Sequence, residues 1–111
     1  MATAVFWQHG EALDYLNSGS GKIDANTIMV FGKRVGVIGG DIDPGQLGSL
    51  IVKGVFKLPK AASTAITAGA LVYWDDTNAV ITTTSSGNTP AGYAAAEAAA
   101  DAETVLVNLN A

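Results

Sequence analysis

Alternation of apolar and polar positions dominates the chain, and glycine-rich stretches divide it into short segments. An apolar residue at every second position is typical of a β-strand with one buried face. The clearest such segment is Leu50–Leu58, which Pro59 ends because proline cannot donate to a ladder. One face of this predicted strand carries Leu50, Val52, Gly54, Phe56 and Leu58. A second alternating segment, 105–110, predicts a half-exposed final strand.

Two β-hairpins are predicted where short apolar segments flank turn residues. The paired segments are Ile28–Phe31 with Val35–Ile38, and Leu71–Asp75 with Val80–Thr84. The first turn, Gly32-Lys33-Arg34, offers a glycine for positive φ. In the second, Asp76-Thr77-Asn78, the Asp and Asn side chains favour local hydrogen bonds.

Together these patterns predict an all-β fold, a small compact β-barrel or sandwich of about seven short strands with at most one short helical turn. That helical turn is placed at Pro59–Ala65. The alanine-rich Ala94–Ala102 favours helix by composition, but it adjoins a strand and is short, so we predict a strand leading into a tight turn.

The chain divides into an amino-terminal segment, residues 1–21, and a β domain, residues 22–111. Val5-Phe6-Trp7 in the first segment is either an early strand or part of an arm that orders on a partner. Ser18-Gly19-Ser20-Gly21 is predicted to be a turn or flexible tip.

Composition narrows the range of functions. The 111 residues are 49% hydrophobic and only 14% charged, which suits one domain with a real core. A net charge of −4 with six basic residues argues against nucleic acid as a partner. No apolar run approaches the roughly 18 residues of a membrane span. Neither a signal peptide nor any cysteine is evident, so we expect synthesis in the host cytoplasm and no disulfide or thiolate chemistry.

The most tempting motif, Gly19-Ser20-Gly21-Lys22, resembles the end of a phosphate-binding loop. The full pattern needs a glycine five residues before the glycine-lysine pair and a Ser or Thr after it. Those positions hold Leu16 and Ile23, so a turn explains the motif better.

Catalytic and metal sites have little support. His9 is the only histidine, so a metal site or a nucleophilic triad lacks partners. Asp41-Ile42-Asp43 and Asp75-Asp76 offer carboxylates, but neither matches a calcium loop, and turn chemistry accounts for them. We therefore predict no catalytic, cofactor-binding or metal-binding residues, and no enzyme.

Several aromatic residues are candidates for an interface. Tyr73 and Trp74 must point to opposite faces of a strand, so one belongs to the core and the other to the surface or an interface. Phe6 and Trp7 are stronger candidates, because a domain has little structural need for two large aromatics in an early segment.

Four segments in order carry a resemblance to a known family. They are Val52–Ala62 (VKGVFKLPKAA), Ala68–Asp76 (AGALVYWDD), Ile81–Asn88 with its threonine run and Gly-Asn pair, and Thr104–Asn110 (TVLVNLN). They resemble segments of the capsid cement, or head decoration, proteins of tailed bacteriophages. Upstream, Gly10–Tyr15, Asn17 and Arg34–Val37 fit the same pattern, so the similarity spans nearly the whole chain. Some members of that family carry the label strand-exchange recombinase, which the incomplete nucleotide loop argues against. Ala94–Ala102 is richer in alanine than the family pattern.

The resemblance implies a structural protein on the outer surface of the virion capsid. Such a protein binds the expanded head, bridges major capsid subunits, often as a trimer, and stabilises the head. It implies no catalytic residues. We predict the contacts with the capsid or with neighbouring subunits at Phe6, Trp7, Tyr15 and Trp74. The alternative is a β-barrel binding module, for adhesion or carbohydrate, displayed on a virion.

Overall fold

The computed structural model describes residues 2–111, and its regular elements are nine β-strands. They are β1 (Ala12–Leu16), β2 (Ile28–Phe31), β3 (Arg34–Ile38), β4 (Leu47–Ile51), β5 (Val55–Pro59), β6 (Leu71–Asp75), β7 (Val80–Thr82), β8 (Thr89–Ala94) and β9 (Thr104–Leu109). The strands form a four-stranded sheet in the order β1-β4-β3-β2 and a five-stranded sheet in the order β5-β9-β8-β6-β7. The predicted all-β class is confirmed, as a sandwich with nine strands in place of about seven. Within residues 2–111 no helix is present that could cross a membrane.

Both predicted hairpins are present. In the first, Phe31 pairs with Arg34, so the turn is only Gly32-Lys33 and Gly32 has φ of 58°. Two-residue turns with positive φ match the twist of the flanking strands, which explains the glycine. Arg34, predicted to lie in the turn, is the first residue of β3.

The second hairpin is closed by the side chain of Asp75. Its Oδ1 accepts hydrogen bonds from the backbone N–H groups of Thr77 and Asn78, both at 3.1 Å, and its Oδ2 accepts one from Asn78 Nδ2 at 2.8 Å. These donors, the Asn78 side chain first, lower the pKa of the Asp75 carboxyl. The strand after the turn ends at Thr82, two residues before the predicted end at Thr84.

The prediction that Leu50–Leu58 is one strand is wrong. Strand β4 ends at Ile51 and β5 begins at Val55, and the two strands lie in different sheets. Gly54 has φ of 119°, which L side chains rarely adopt, and the chain turns from one sheet to the other there. Pro59 is the last residue of β5, as expected.

Two other predictions concern segments 94–102 and 59–65. Residues 94–102 contain no helix: β8 ends at Ala94, and Ala98 forms an isolated bridge with Ile66 in the loop that follows. Residues 59–65 form a turn at Ala62 and Ser63 and no helical turn, so that prediction is wrong. The final strand β9 buries Val105, Val107 and Leu109 and alternates as predicted.

The hairpin β2–β3 separates two hydrophobic cores. Val35 and Val37 pack into the larger core, which β5 to β9 supply, whereas Ile38 packs into a smaller core with Leu50 and other residues of the first sheet. Strand β3 is therefore buried on both faces. Gly36 is required there, because a Cβ at this position would lie 2.6 Å from Leu50.

Asn110 joins the two sheets. Its Nδ2 donates to the carbonyls of Val35 at 2.8 Å and Val52 at 2.7 Å, and its Oδ1 accepts from the N–H of Val35 at 3.4 Å. Val35 belongs to the first sheet, and Val52 lies in the connection to the second. One side chain after the last strand thus satisfies backbone groups far away in sequence.

Candidate functional site

The most exposed apolar surface lies before the first strand. We call residues 2–9 the amino-terminal arm. The arm contains no strand, and Val5, Phe6 and Trp7 are 85%, 77% and 85% exposed. The rings of Phe6 and His9 meet edge to face with centroids 5.6 Å apart. The predicted segment 1–21 also contains β1, which is paired with β4 in the first sheet.

The structure separates the four predicted contact residues. Phe6 and Trp7 lie together in the arm. Tyr15 lies in β1, half-buried against the smaller core. Trp74 lies in the larger core with 4% of its surface exposed, and its Nε1 donates to Asp76 Oδ1 at 2.9 Å. Its burial leaves Trp74 little surface to offer a partner.

The outer face of the second sheet carries exposed apolar residues that sequence reasoning did not single out. Strand pairing places Val55, Asn108, Tyr93 and Leu71 in one row across β5, β9, β8 and β6. Val55 is 55% exposed and Leu71 64% exposed, and at the centre of the row Asn108 Nδ2 donates to the Tyr93 hydroxyl at 2.9 Å. Alternation along each strand indicates which residues face outward, but only the register between strands shows that they adjoin.

The glycine-serine loop has a structural explanation. Asn17 is buried, and its Nδ2 donates to the carbonyls of Gly21 at 2.8 Å and Ile42 at 2.9 Å. Its Oδ1 accepts from the N–H of Gly19 at 3.1 Å. The loop is therefore held by Asn17, which sequence reasoning did not identify as a buried residue.

The charged residues beside this loop pair with one another. Lys22 Nζ lies 3.4 Å from Asp24 and 3.6 Å from Asp41, and these contacts, that with Asp24 first, raise the pKa of Lys22. Asp41 also accepts from the N–H of Ala25 at 2.8 Å, which together with Lys22 lowers the pKa of its carboxyl. Between Ala2 and Ala111, no three His, Cys, Asp or Glu side chains are grouped as they would be to hold a metal ion.

Lys60 is a buried lysine whose amino group is fully used within the fold. Its Nζ donates to the carbonyls of Ala61, Thr64 and Ala100 at 2.8, 2.6 and 3.1 Å. An ammonium group has three donors, so this geometry satisfies all of them. The surface hollow next to Lys60 is lined by residues of two loops, 60–63 and 100–103.

These features define a class of protein. A small two-sheet β-protein with exposed apolar residues on an arm and on one sheet face is typical of proteins that bind other proteins. The family model of the phage cement proteins matches residues 7–109, and the chain belongs to this family. The resemblance inferred from the sequence is therefore confirmed, and membership supports a cement role as a component of the virion capsid.

The match begins at Trp7, so Phe6 and the start of the arm lie outside it. No curated protein matches the chain, and no solved structure matches it either.

Proposed function

We propose that the protein binds the outer surface of the expanded phage head and stabilises it by bridging major capsid subunits, as a trimer on the capsid. Family membership supports the cement role, and the exposed arm is the observation that supports a specific contact. The proposal includes no catalysis, no cofactor, and no nucleic-acid or membrane partner. The protein is made in the host cytoplasm and acts on the virion.

The contact is proposed to lie at Phe6 and Trp7, with the capsid or with a neighbouring copy. Large aromatic residues contribute most of the binding energy in many interfaces when a partner buries them. Both side chains are more than three quarters exposed in the single chain, so their apolar surface is available for burial. An extended segment can also add a strand to an exposed sheet edge, which supplies main-chain hydrogen bonds.

A cement protein does not need tight binding by each copy. Many symmetric contacts on one particle raise the effective concentration of every further contact, so a modest affinity for each copy is enough. The low charge content of 14% suits a domain that is partly covered by partners.

The test uses heads that lack the protein. We expect saturable binding of the purified protein and a higher temperature of DNA release from the decorated heads. The double variant Phe6→Ala and Trp7→Ala is expected to bind about 30-fold more weakly, the effect of about 2 kcal/mol that is typical of an interface hot spot. Its unfolding temperature should match that of the unmodified protein.

Leu47→Ala, at another exposed apolar position, is the matched control and should bind heads normally. Absence of saturable binding to the heads would contradict the proposed function. Equal binding by the double variant and the Leu47→Ala control would contradict the proposed contact.

The alternative of an adhesion or carbohydrate-binding module has less support. Exposed aromatic residues on one face, such as Trp7 or Trp74, would favour it, but Trp74 is 4% exposed and Trp7 lies in the arm and not on a sheet face.

A further inference from the structure

The two sheets have four edge strands, β1, β2, β5 and β7. An exposed edge is a template for another strand, and proteins protect edges with charged residues, proline, short length or a covering segment. β1 carries Asp14, and β5 carries Lys57 and ends at Pro59. β7 has three residues and is covered where the N–H of Ala61 donates to the carbonyl of Ile81 at 2.9 Å.

The fourth edge, β2, carries neither a charged residue nor a proline. Its four residues, Ile28–Phe31, are all apolar and all half-buried. The N–H of Ile38 donates to the carbonyl of Thr27 at 2.9 Å, and bonded and non-bonded pairs alternate along an antiparallel ladder. The backbone N–H and C=O groups of Ile28 and Val30 therefore point away from β3, toward the open edge.

A groove runs beside the start of β2, between the two sheets. It has a volume of about 300 Å³, and its apolar walls are Ile28 and Val37 of the first sheet and Phe56 and Leu58 of the second. An added strand at β2 would place every second side chain on the groove side. The edge and the groove together suit an extended apolar segment.

The arm of a second copy of this protein is such a segment. Residues 3–7, Thr-Ala-Val-Phe-Trp, are uncharged and rich in residues that favour strands. Within its own chain the arm leaves from β1, and β4 and β3 lie between β1 and β2, a separation of about 14 Å. Trp7 is 85% exposed, so the arm does not pack on its own domain.

Charge also favours the arm as the strand that adds to β2. Lys33 and Arg34 lie beyond one end of β2, and Lys57 lines the groove near its other end. Glu11 follows Trp7 by four residues, so an arm added parallel to β2 carries Glu11 toward Lys33 and Arg34.

We propose that the arm of one copy adds as a strand to β2 of a second copy, with its aromatic side chains covering the groove. Such a contact is head-to-tail, and head-to-tail contacts close into a ring when the rotation permits. This contact between copies is an addition to the proposed function. It rests on the proposed function only in being placed on the phage head.

The test mixes two single-cysteine variants, Phe6→Cys and Val30→Cys, under mild oxidation, in solution and on heads. The natural chain has no cysteine, so a disulfide that joins the Phe6→Cys variant to the Val30→Cys variant reports this contact, and each variant oxidised alone gives the background. We expect at least about tenfold more disulfide-linked dimer than for Phe6→Cys mixed with Thr83→Cys, an exposed control position, because adjacent cysteines have a high effective concentration. Met29→Cys repeats the test for a side chain on the other face of β2.

Equal linkage for Val30, Met29 and the Thr83 control, both in solution and on heads, would overturn the inference. In a double variant with Phe6→Cys and Val30→Cys on one chain, linkage only within that chain would also overturn it. Failure of the unmodified protein to bind heads would contradict the proposed function alone, and head binding by the unmodified protein without linkage of the cysteine variants would contradict the inference alone.

Discussion

The chain has two pairs of adjacent aromatic residues, and the fold treats them in opposite ways. Phe6 and Trp7 lie in the arm, where Trp7 is 85% exposed. Tyr73 and Trp74 lie in β6, which is paired with β8 on one side and β7 on the other. There Trp74 is 4% exposed in the larger core, while Tyr73 faces the other way and is half-buried.

Residue type alone does not explain this difference, because both pairs contain a tryptophan beside a second aromatic ring. Two-sided strand pairing explains it, because it fixes which side chain of a pair faces the core. A tryptophan held there contributes to folding, whereas one on an unpaired segment stays exposed, as Trp7 does. The predictions below test this contrast, beginning with the largest effect.

Trp74→Ala is expected to lower the free energy of unfolding by about 3–5 kcal/mol, because it leaves a large cavity in the core. Trp7→Ala should change the same quantity by less than about 0.5 kcal/mol, as is usual for an exposed position. Urea denaturation followed by far-ultraviolet circular dichroism measures both values. Similar losses for the two variants would contradict the contrast.

Gly92→Ala is expected to destabilise the protein by about 3 kcal/mol or more, because it disturbs the pairing that buries Trp74. Gly92 has φ of 133°, and a Cβ there would overlap the backbone carbonyl of Asn108. The control is Gly87→Ala, where φ is 75° but the surrounding space is open, and the expected cost is about 1–2 kcal/mol. Thermal unfolding of both variants would show the difference, and an equal cost would refute the steric argument.

Asp76→Ala is expected to cost about 1 kcal/mol, because it removes the acceptor for the indole N–H of Trp74. Asp76→Asn keeps an acceptor oxygen and should lose less. Equilibrium urea titration is the measurement. A loss for Asp76→Asn as large as that for Asp76→Ala would show that the hydrogen bond does not contribute.

The smallest expected effect is a pH dependence in the hairpin that follows Trp74. The pKa of Asp75 is lowered from 3.8 by its hydrogen bonds, so the ionised form stabilises the fold above that pH. This contribution is lost as pH falls through the lowered pKa. Asp75→Asn should therefore make the decline in stability below about pH 4 shallower. An unchanged decline would show that Asp75 does not contribute.

Much of the fold was predictable where the signal lies within a few residues. The turn at Gly32, the turn after Asp75 and the alternation of β9 are local features, and each predicted element is present. The break at Gly54 was missed because the apolar alternation continues across it, although Leu50 and Leu58 pack in different cores.

The candidate site was predictable only in part. The sequence indicated Phe6 and Trp7 as unusual in an early segment, and the structure places both on the surface. It also indicated that either Tyr73 or Trp74 is in the core, but periodicity alone does not say which. The open edge at β2 had no sequence signal, because an edge strand and a central strand with the same residues read alike.

The sequence by itself determined the all-β class, the hairpin turns and the family, because turn residues, strand periodicity and motif order are properties of short stretches. Only the tertiary structure decided which tryptophan is buried and which edge is left open. Those outcomes depend on pairings between distant segments, such as β1 with β4 and β5 with β9. Long-range pairing is selected by the packing of the whole molecule, and no single segment encodes it.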